Sequence, residues 1–168
     1  MLSILLASAV GAWRRRRARR AGASPQRASR GTANVARPLP LPLELPAGLD
    51  GAEVLAAARS RFMHLQVAWD AGDVSALQSL TTPDMLAELL HVLTARGSGP
   101  SRTDVISLHA ELLGLEELGV AYLASVEFTG LIRESAERGA VPFRELWMLA
   151  CMKDDTPSWR LARQQSLF

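Results

Sequence analysis

The segment TDVISLHAELLGLEELGVAYLASVEFTGLIR, residues 103–133, decides the fold. Apolar and polar side chains alternate along it with a period of two, which is typical of β-strands that bury one face. This period predicts strands at residues 103–115 and 120–133, with residues 116–119 as the turn that pairs them in a hairpin. The side chains expected to face the core are Ile106, Leu108, Ala110, Leu112, Val120, Tyr122, Ala124, Val126 and Phe128.

Two further strands follow the hairpin. Residues 143–153 are predicted as a third strand, which is apolar on both faces toward its end, and residues 159–167 as a fourth. The intervening residues 135–141 and 154–158 are predicted as turns.

The segment before the hairpin has a helical period instead. Between residues 50 and 71, large apolar side chains recur at steps of three and four, which predicts an amphipathic helix. Asp50 is a suitable N-cap, and Gly72 is suitable just after the last helical residue. The apolar stripe consists of Leu55, Ala58, Phe62, Leu65 and Trp69.

Two shorter helices complete the helical part. Asp73 can cap a helix over residues 74–80, and Thr82 followed by Pro83 marks the start of a third helix that ends before Gly97. The buried face of this third helix is expected to contain Leu86, Leu89, Leu90 and Leu93. Three helices followed by four antiparallel strands predict an α+β domain, with the helices packed on one face of a curved sheet.

Charge divides the 168-residue chain into two parts. Residues 1–49 hold nine Arg and one acid, a net charge of +8, whereas residues 50–168 hold ten basic and sixteen acidic residues, a net charge of −6. A nucleic-acid surface across the acidic part is therefore excluded, because it would repel phosphates. The single cysteine, Cys151, excludes a disulfide framework and a cysteine-rich metal site.

The N-terminal twenty residues form an apolar and basic segment. Residues 2–13 are apolar but too few to span a bilayer, and the cluster RRRRARR follows at residues 14–20. Three interpretations stay open: the end of a longer transmembrane helix that begins upstream, a short interfacial anchor, or a disordered basic tail. The residues expected to contact anionic lipid are Arg14, Arg15, Arg16, Arg17, Arg19 and Arg20.

A linker separates this segment from the folded domain. Residues 21–37 are small, polar and basic without a period, and residues 38–46, PLPLPLELP, alternate Pro with mainly Leu. Such a stretch favours an extended, semi-rigid spacer. The predicted organisation is therefore a membrane-proximal segment at 1–20, a disordered Pro-rich linker at 21–49 and a domain at 50–168.

Three motifs in the domain resemble the bacterial Tim44-like domain. They are QVAWDAGD at residues 66–73, TPDM at 82–85 and ASVEFTG at 124–130, and the resemblance covers residues 50–168. It implies an NTF2-like cone, in which helices pack on a bent antiparallel sheet around an apolar cavity. It also implies membrane association, since the relatives include a mitochondrial inner-membrane import tether and a component of the mitochondrial ribosome. Many bacterial relatives carry transmembrane segments and a low-complexity linker before the domain.

Few residues suggest catalysis or metal binding. Glu88 and His91 copy half of a helical di-iron motif, but the second copy and further carboxylates at that spacing are missing, so no metal or other cofactor is expected. His64 is expected to pack at the border of the first helix's stripe. Cys151 has no basic neighbour in sequence to activate it, which favours a buried structural thiol.

The strands offer one possible catalytic group. Tyr122 is expected to face the core, where enzymes of the ketosteroid isomerase type hold an oxyanion donor and an inward acid. No Asp occupies an inward strand position, which favours a structural Tyr. His109, Glu111 and Glu127 are expected on the opposite face of the sheet.

The sequence thus favours a non-enzymatic scaffold or binding module that is associated with the cytoplasmic side of the inner membrane. The expected partners are anionic lipid and a membrane or translocation-related protein. The alternative is an apolar-ligand binder or ketosteroid-isomerase-like enzyme that uses the cone cavity. A sealed apolar interior would favour the scaffold, and an open pocket with an inward acid near Tyr122 would favour the enzyme. Residues expected to line a cavity are Phe62, Leu65, Trp69, Leu93, Tyr122, Phe128 and Trp147.

Overall fold

The computed structural model describes residues 44–97, 101–134, 139–153 and 158–167. These residues form three helices followed by four strands, which confirms the predicted α+β class. The helices are α1 (Gly51–Ala71), α2 (Val74–Leu80) and α3 (Pro83–Arg96); the strands are β1 (Asp104–Leu118), β2 (Ala121–Arg133), β3 (Val141–Met152) and β4 (Arg160–Ser166).

Local side chains set the ends of α1 and α2. The Asp50 carboxylate accepts a hydrogen bond from the backbone N–H of Ala52 at 2.8 Å, and the Asp73 carboxylate accepts one from that of Ala76 at 3.0 Å. Between the two helices, Gly72 has a φ of +66°. A glycine adopts this left-handed conformation at low cost, so α1 ends and α2 begins as the sequence predicts.

The four strands form one antiparallel sheet in the order β1-β2-β3-β4. The β1–β2 hairpin is confirmed, but its turn contains only Gly119 and Val120, because Leu118 still pairs with Ala121. Gly119 supplies the positive φ, +56°, that a two-residue hairpin loop needs. The prediction of a turn at 116–119 was therefore wrong, and Val120 lies in the turn, 63% exposed, instead of facing the core.

Two irregularities in β1 change which of its side chains reach the core. The register shifts between Val105 and Ser107 and again between Leu112 and Gly114. A bulge shifts the two-residue alternation by one position. The prediction that Ile106 faces the core was therefore wrong, since its side chain is 49% exposed, and Leu115 is buried instead.

The core lies between the helices and the inner face of the sheet. The strands contribute alternate residues to it, and α1 contributes its apolar stripe, which is buried from Ala58 to Trp69. The buried apolar strand residues are Ala110, Leu115, Ala124, Val126, Phe128, Ile132, Phe143, Trp147, Leu149, Cys151 and Leu161. Helices packed on one face of an antiparallel sheet are part of what the Tim44-like resemblance implies; its apolar cavity stays a prediction.

The motif at residues 66–73 joins α1 to the sheet. The carboxylate of Asp70 accepts hydrogen bonds from the backbone N–H of Thr103 at 2.6 Å and from the hydroxyl of Ser101 at 2.9 Å. The guanidinium of Arg96 lies 5.0 Å from the centre of the Trp69 ring and donates to the Trp69 carbonyl at 2.9 Å. These contacts fix the end of α1 against the start of β1 and the end of α3.

A second junction connects the helices to the edge strand β4. Thr82 begins α3 as predicted, although its side chain makes no capping hydrogen bond. Its backbone N–H donates to the carbonyl of Leu161 at 2.9 Å, and Thr81 forms an isolated bridge with Leu161. In the part of the chain that the structure describes, no helix combines the length and apolar character needed to cross a membrane.

Candidate binding site

Four aromatic rings from three elements meet on the inner face of the sheet. Phe62 of α1 lies 4.9 Å from Phe128 of β2, and 5.6 and 5.0 Å from Phe143 and Trp147 of β3, measured between ring centres. The Phe128 and Trp147 rings meet edge to face at 5.2 Å. These separations lie in the range of favourable aromatic pairs, so the rings pack against one another.

The seven residues expected to line a cavity divide into two groups. Five of them are buried: Phe62, Leu65, Trp69, Phe128 and Trp147. Leu93 and Tyr122 are half-buried and pack against the edge of the core. The Tyr122 ring lies 5.3 Å from the ammonium of Lys153, far along the sheet from the aromatic cluster. The role of the seven residues as a ligand-binding wall stays a prediction.

A buried acid lies beside the aromatic cluster. Glu145 of β3 is 1% exposed, and its Oε2 accepts hydrogen bonds from the Trp147 indole N–H and from the Gln164 side-chain amide, both at 2.7 Å. Burial raises the pKa of the Glu145 carboxyl to about 7, and the two hydrogen bonds oppose that rise. A carboxyl group with such a pKa changes its charge close to neutral pH.

Sequence reasoning missed Glu145, although a signal for it is present. Phe143, Trp147, Leu149 and Cys151 are all buried, and Glu145 occupies the one remaining position of this two-residue period. An acid in phase with an apolar strand face is predicted to point inward, just as its neighbours do. The interpretation of this strand as apolar on both faces considered only its end.

The inward acid does not lie near Tyr122. In the register of β2 and β3, Tyr122 pairs with Cys151, whereas Glu145 pairs with Phe128. Six strand positions separate the two pairs, or about 20 Å at 3.3–3.4 Å per residue. The two groups therefore cannot act on the same atom of one small substrate.

The remaining candidate groups lie on the surface or outside the described residues. Glu88 and His91 are exposed on α3, and His64 is exposed on α1. Within residues 44–97, 101–134, 139–153 and 158–167, no group of three potential metal ligands comes together. The six arginines of residues 14–20 lie outside the described part of the chain.

The outer face of the sheet carries a charged group. Glu111 of β1 lies directly opposite Glu127 of β2, and His109 lies opposite Thr129. The guanidinium of Arg144 donates to the Glu127 carboxylate at 2.9 Å, which raises the pKa of Arg144 above its ordinary value. The predicted projection of His109 and the two glutamates from this face agrees with the register.

A family model shows to which family this chain belongs. The model of the Tim44-like domain matches residues 43–166, which include all seven helices and strands. The chain belongs to the Tim44-like domain family. Tim44-like domains are membrane-associated and generally non-enzymatic. No curated protein sequence matches this chain.

Solved structures are similar to this Tim44-like chain at low sequence identity. A ketosteroid isomerase-like protein from Erwinia carotovora atroseptica is 18% identical with a TM-score of 0.38, covering 69% of this chain and 98% of its own. A conserved protein from Planctomyces limnophilus is 14% identical with a TM-score of 0.40, covering 69% and 95%. The intermembrane space region of the chloroplast protein ARC6 is 12% identical with a TM-score of 0.47, covering 71% and 97%.

Proposed function

We propose that this Tim44-like chain is a non-enzymatic binding module or scaffold, held at the cytoplasmic face of a membrane by its N-terminal segment. The domain would bind a membrane or translocation-related protein. Residues 21–49 would act as the spacer between the domain and the lipid surface.

The observation that carries this proposal is the Tim44-like match over residues 43–166. It includes nearly the whole described domain, so the family's membrane association is the best guide to where the domain works. The arginine cluster at residues 14–20 adds an independent reason, because each cationic side chain near an anionic surface contributes about 1 kcal/mol to binding.

The geometry of the interior supports a binding module over an enzyme. The acid and the phenol that a ketosteroid-isomerase-like reaction would need lie about 20 Å apart along the sheet. Moreover, Glu145 is 1% exposed and already bonded to Trp147 and Gln164. An acid covered in this way cannot reach a substrate without a rearrangement of the core.

Two experiments test the proposal together: cross-linking of the chain to its protein partner, and native mass spectrometry in search of a bound small molecule. The full chain, cross-linked in its native membranes, should yield a reproducible protein partner. Native mass spectrometry of the domain alone, which begins at residue 44 and lacks the lipid-binding N-terminal segment, should show no small molecule retained from lipid extract. A stoichiometric apolar ligand would favour the alternative binder, and its turnover, abolished in Tyr122→Phe, would overturn the proposal because a purely structural hydroxyl does not control a rate.

A further inference from the structure

Glu145 is the one acidic side chain among the described residues that lies fully within the core. Its position requires an explanation, because a buried carboxylate without a cation is costly. One of its oxygens, Oε2, receives two N–H donors, from Trp147 and Gln164. The other oxygen, Oε1, is buried and has no hydrogen-bond partner.

A second buried oxygen atom, on the side chain bonded to Glu145, also lacks a hydrogen-bond partner. The side-chain oxygen Oε1 of Gln164 is also buried without a partner, while its amide nitrogen donates to Glu145 at 2.7 Å. Both unpartnered atoms are therefore acceptors. One belongs to the Glu145 carboxyl and the other to the Gln164 amide, and these two planar groups already share one hydrogen bond. A single proton on the Glu145 carboxyl can supply the donor that both atoms lack.

We propose that Glu145 and Gln164 form a neutral acid–amide pair that latches the edge strand β4 to β3, and that the latch opens when Glu145 loses its proton to water. In the closed pair, the Gln164 amide donates to Glu145 Oε2, and the protonated Oε1 donates to the Gln164 carbonyl oxygen. Ionisation removes the second hydrogen bond and leaves two acceptor oxygens together in an apolar site.

The strand β4 is the element that the latch controls. It has only seven residues, lies at the edge of the sheet and pairs with β3 alone among the strands. Gln164 is one of its two buried inner-face residues, together with Leu161. Movement of β4 away from β3 would therefore bring water to an ionised Glu145.

The surroundings of Glu145 contain no charge that would compensate its ionisation. The buried neighbours on β2 and α1 are apolar, and β4 brings the Gln164 amide and the uncharged hydroxyl of Ser166, which lies opposite Glu145. On its own strand the next titratable group of that face is Cys151, six positions away. Arg144 beside it pairs with Glu127 on the outer face. Arg59 of α1 approaches the Ala110 carbonyl on β1, two strands away.

The remaining charged groups of the packed elements lie on exposed or partly exposed positions. On α1 they include Arg61 and His64, and on β4 they are Arg160 and Arg163. Burial is thus the main cause of the raised pKa of Glu145, about 7 against an ordinary value of 4.5. At tenfold per pKa unit, the difference between these pKa values means that the ionised group favours the open state about 300-fold more than the protonated group does.

Amide hydrogen exchange on the full chain tests the latch. The exchange rates of the β4 backbone, corrected for intrinsic chemistry, are measured at pH 5.5 and pH 8.5 in the native chain, in Glu145→Gln and in Glu127→Gln. The first variant keeps the shape of the pair and replaces the proton by an amide N–H that never ionises. The second is the matched control on the outer face.

In the native chain and in Glu127→Gln, protection of β4 should fall about 30-fold between the two pH values, because a water-exposed Glu145 with its ordinary pKa of 4.5 is already ionised at pH 5.5. In Glu145→Gln it should change less than threefold. An infrared band of a protonated carboxylic acid should be present in the native chain at pH 5.5, lost at pH 8.5 and missing from Glu145→Gln. Equal pH dependence in the native chain and Glu145→Gln would overturn the proposal. So would a loss of protection that is as large in β1 and β2 as in β4.

Discussion

The buried carboxyl of Glu145 should make the stability of this domain fall as the pH rises toward neutrality. In the unfolded chain Glu145 releases its proton near its ordinary pKa of 4.5, whereas in the folded chain it keeps the proton until about pH 7. Between these values the unfolded state binds fewer protons, so the free energy of unfolding falls with pH. At 1.36 kcal/mol per pKa unit, the difference between the two pKa values lowers the free energy of unfolding by about 3 kcal/mol across this pH range.

The expected difference is a large part of the stability of a domain of this size, which is about 5–15 kcal/mol. Urea unfolding of the full chain, followed by the fluorescence of the core tryptophans, should be measured from pH 5 to pH 8.5 in the native chain and in Glu145→Gln. The variant should be more stable than the native chain by about 2–3 kcal/mol at pH 8 and by less than about 1 kcal/mol at pH 5.

Subtraction of the two curves isolates Glu145, because every other titrating group is common to both chains. The pKa of Asp104 is shifted in the opposite direction from that of Glu145, because hydrogen bonds from Arg102 and Arg133 hold it below its ordinary value. Its contribution is therefore lost only as the pH falls through that low pKa, below the measured range. A difference between native and variant that is constant from pH 5 to pH 8.5 would refute the assignment of a neutral buried acid.

Three further predictions follow from the packing. Trp147→Ala should lower the free energy of unfolding by about 3–5 kcal/mol, since it empties the centre of the aromatic cluster; a loss below about 1 kcal/mol in urea unfolding would contradict its burial. Asp70→Ala should cost about 1–3 kcal/mol and speed amide exchange at Thr103, whose N–H loses its acceptor; unchanged exchange there would disprove the junction. A chain that begins at Asp50 should melt cooperatively, although less stably than one that begins at residue 44, because Leu49 packs partly against the core; absence of a calorimetric transition in either would refute this boundary.

The sequence allowed prediction of those features whose causes are local. Asp50 and Asp73 cap helices because their carboxylates reach N–H groups two or three residues away, and the β1–β2 hairpin follows from an alternation that is visible in the chain itself. Ile106 could not be placed, because a bulge depends on how β1 pairs with β2. A single-strand pattern contains no information about that pairing.

The candidate site was predicted only in part, for a related reason. Apolar residues such as Phe62 and Trp147 could be assigned to the interior because burial is their ordinary state. The partnership of Glu145 with Gln164 joins residues nineteen positions apart on two strands. Its existence depends on the register of β3 and β4, which only the three-dimensional structure supplies.

The binding of the full chain to vesicles tests the central claim most directly. Sedimentation with phosphatidylserine-containing vesicles should be compared between the native chain and one in which Arg14, Arg15 and Arg16 are replaced by Gln. At about 1 kcal/mol for each cationic side chain, the substitution should weaken partitioning about 100-fold, and raised salt should weaken the native chain's binding in the same direction. Equal binding of both chains, or equal binding to neutral vesicles at high salt, would contradict a domain tethered to anionic membrane by its basic segment.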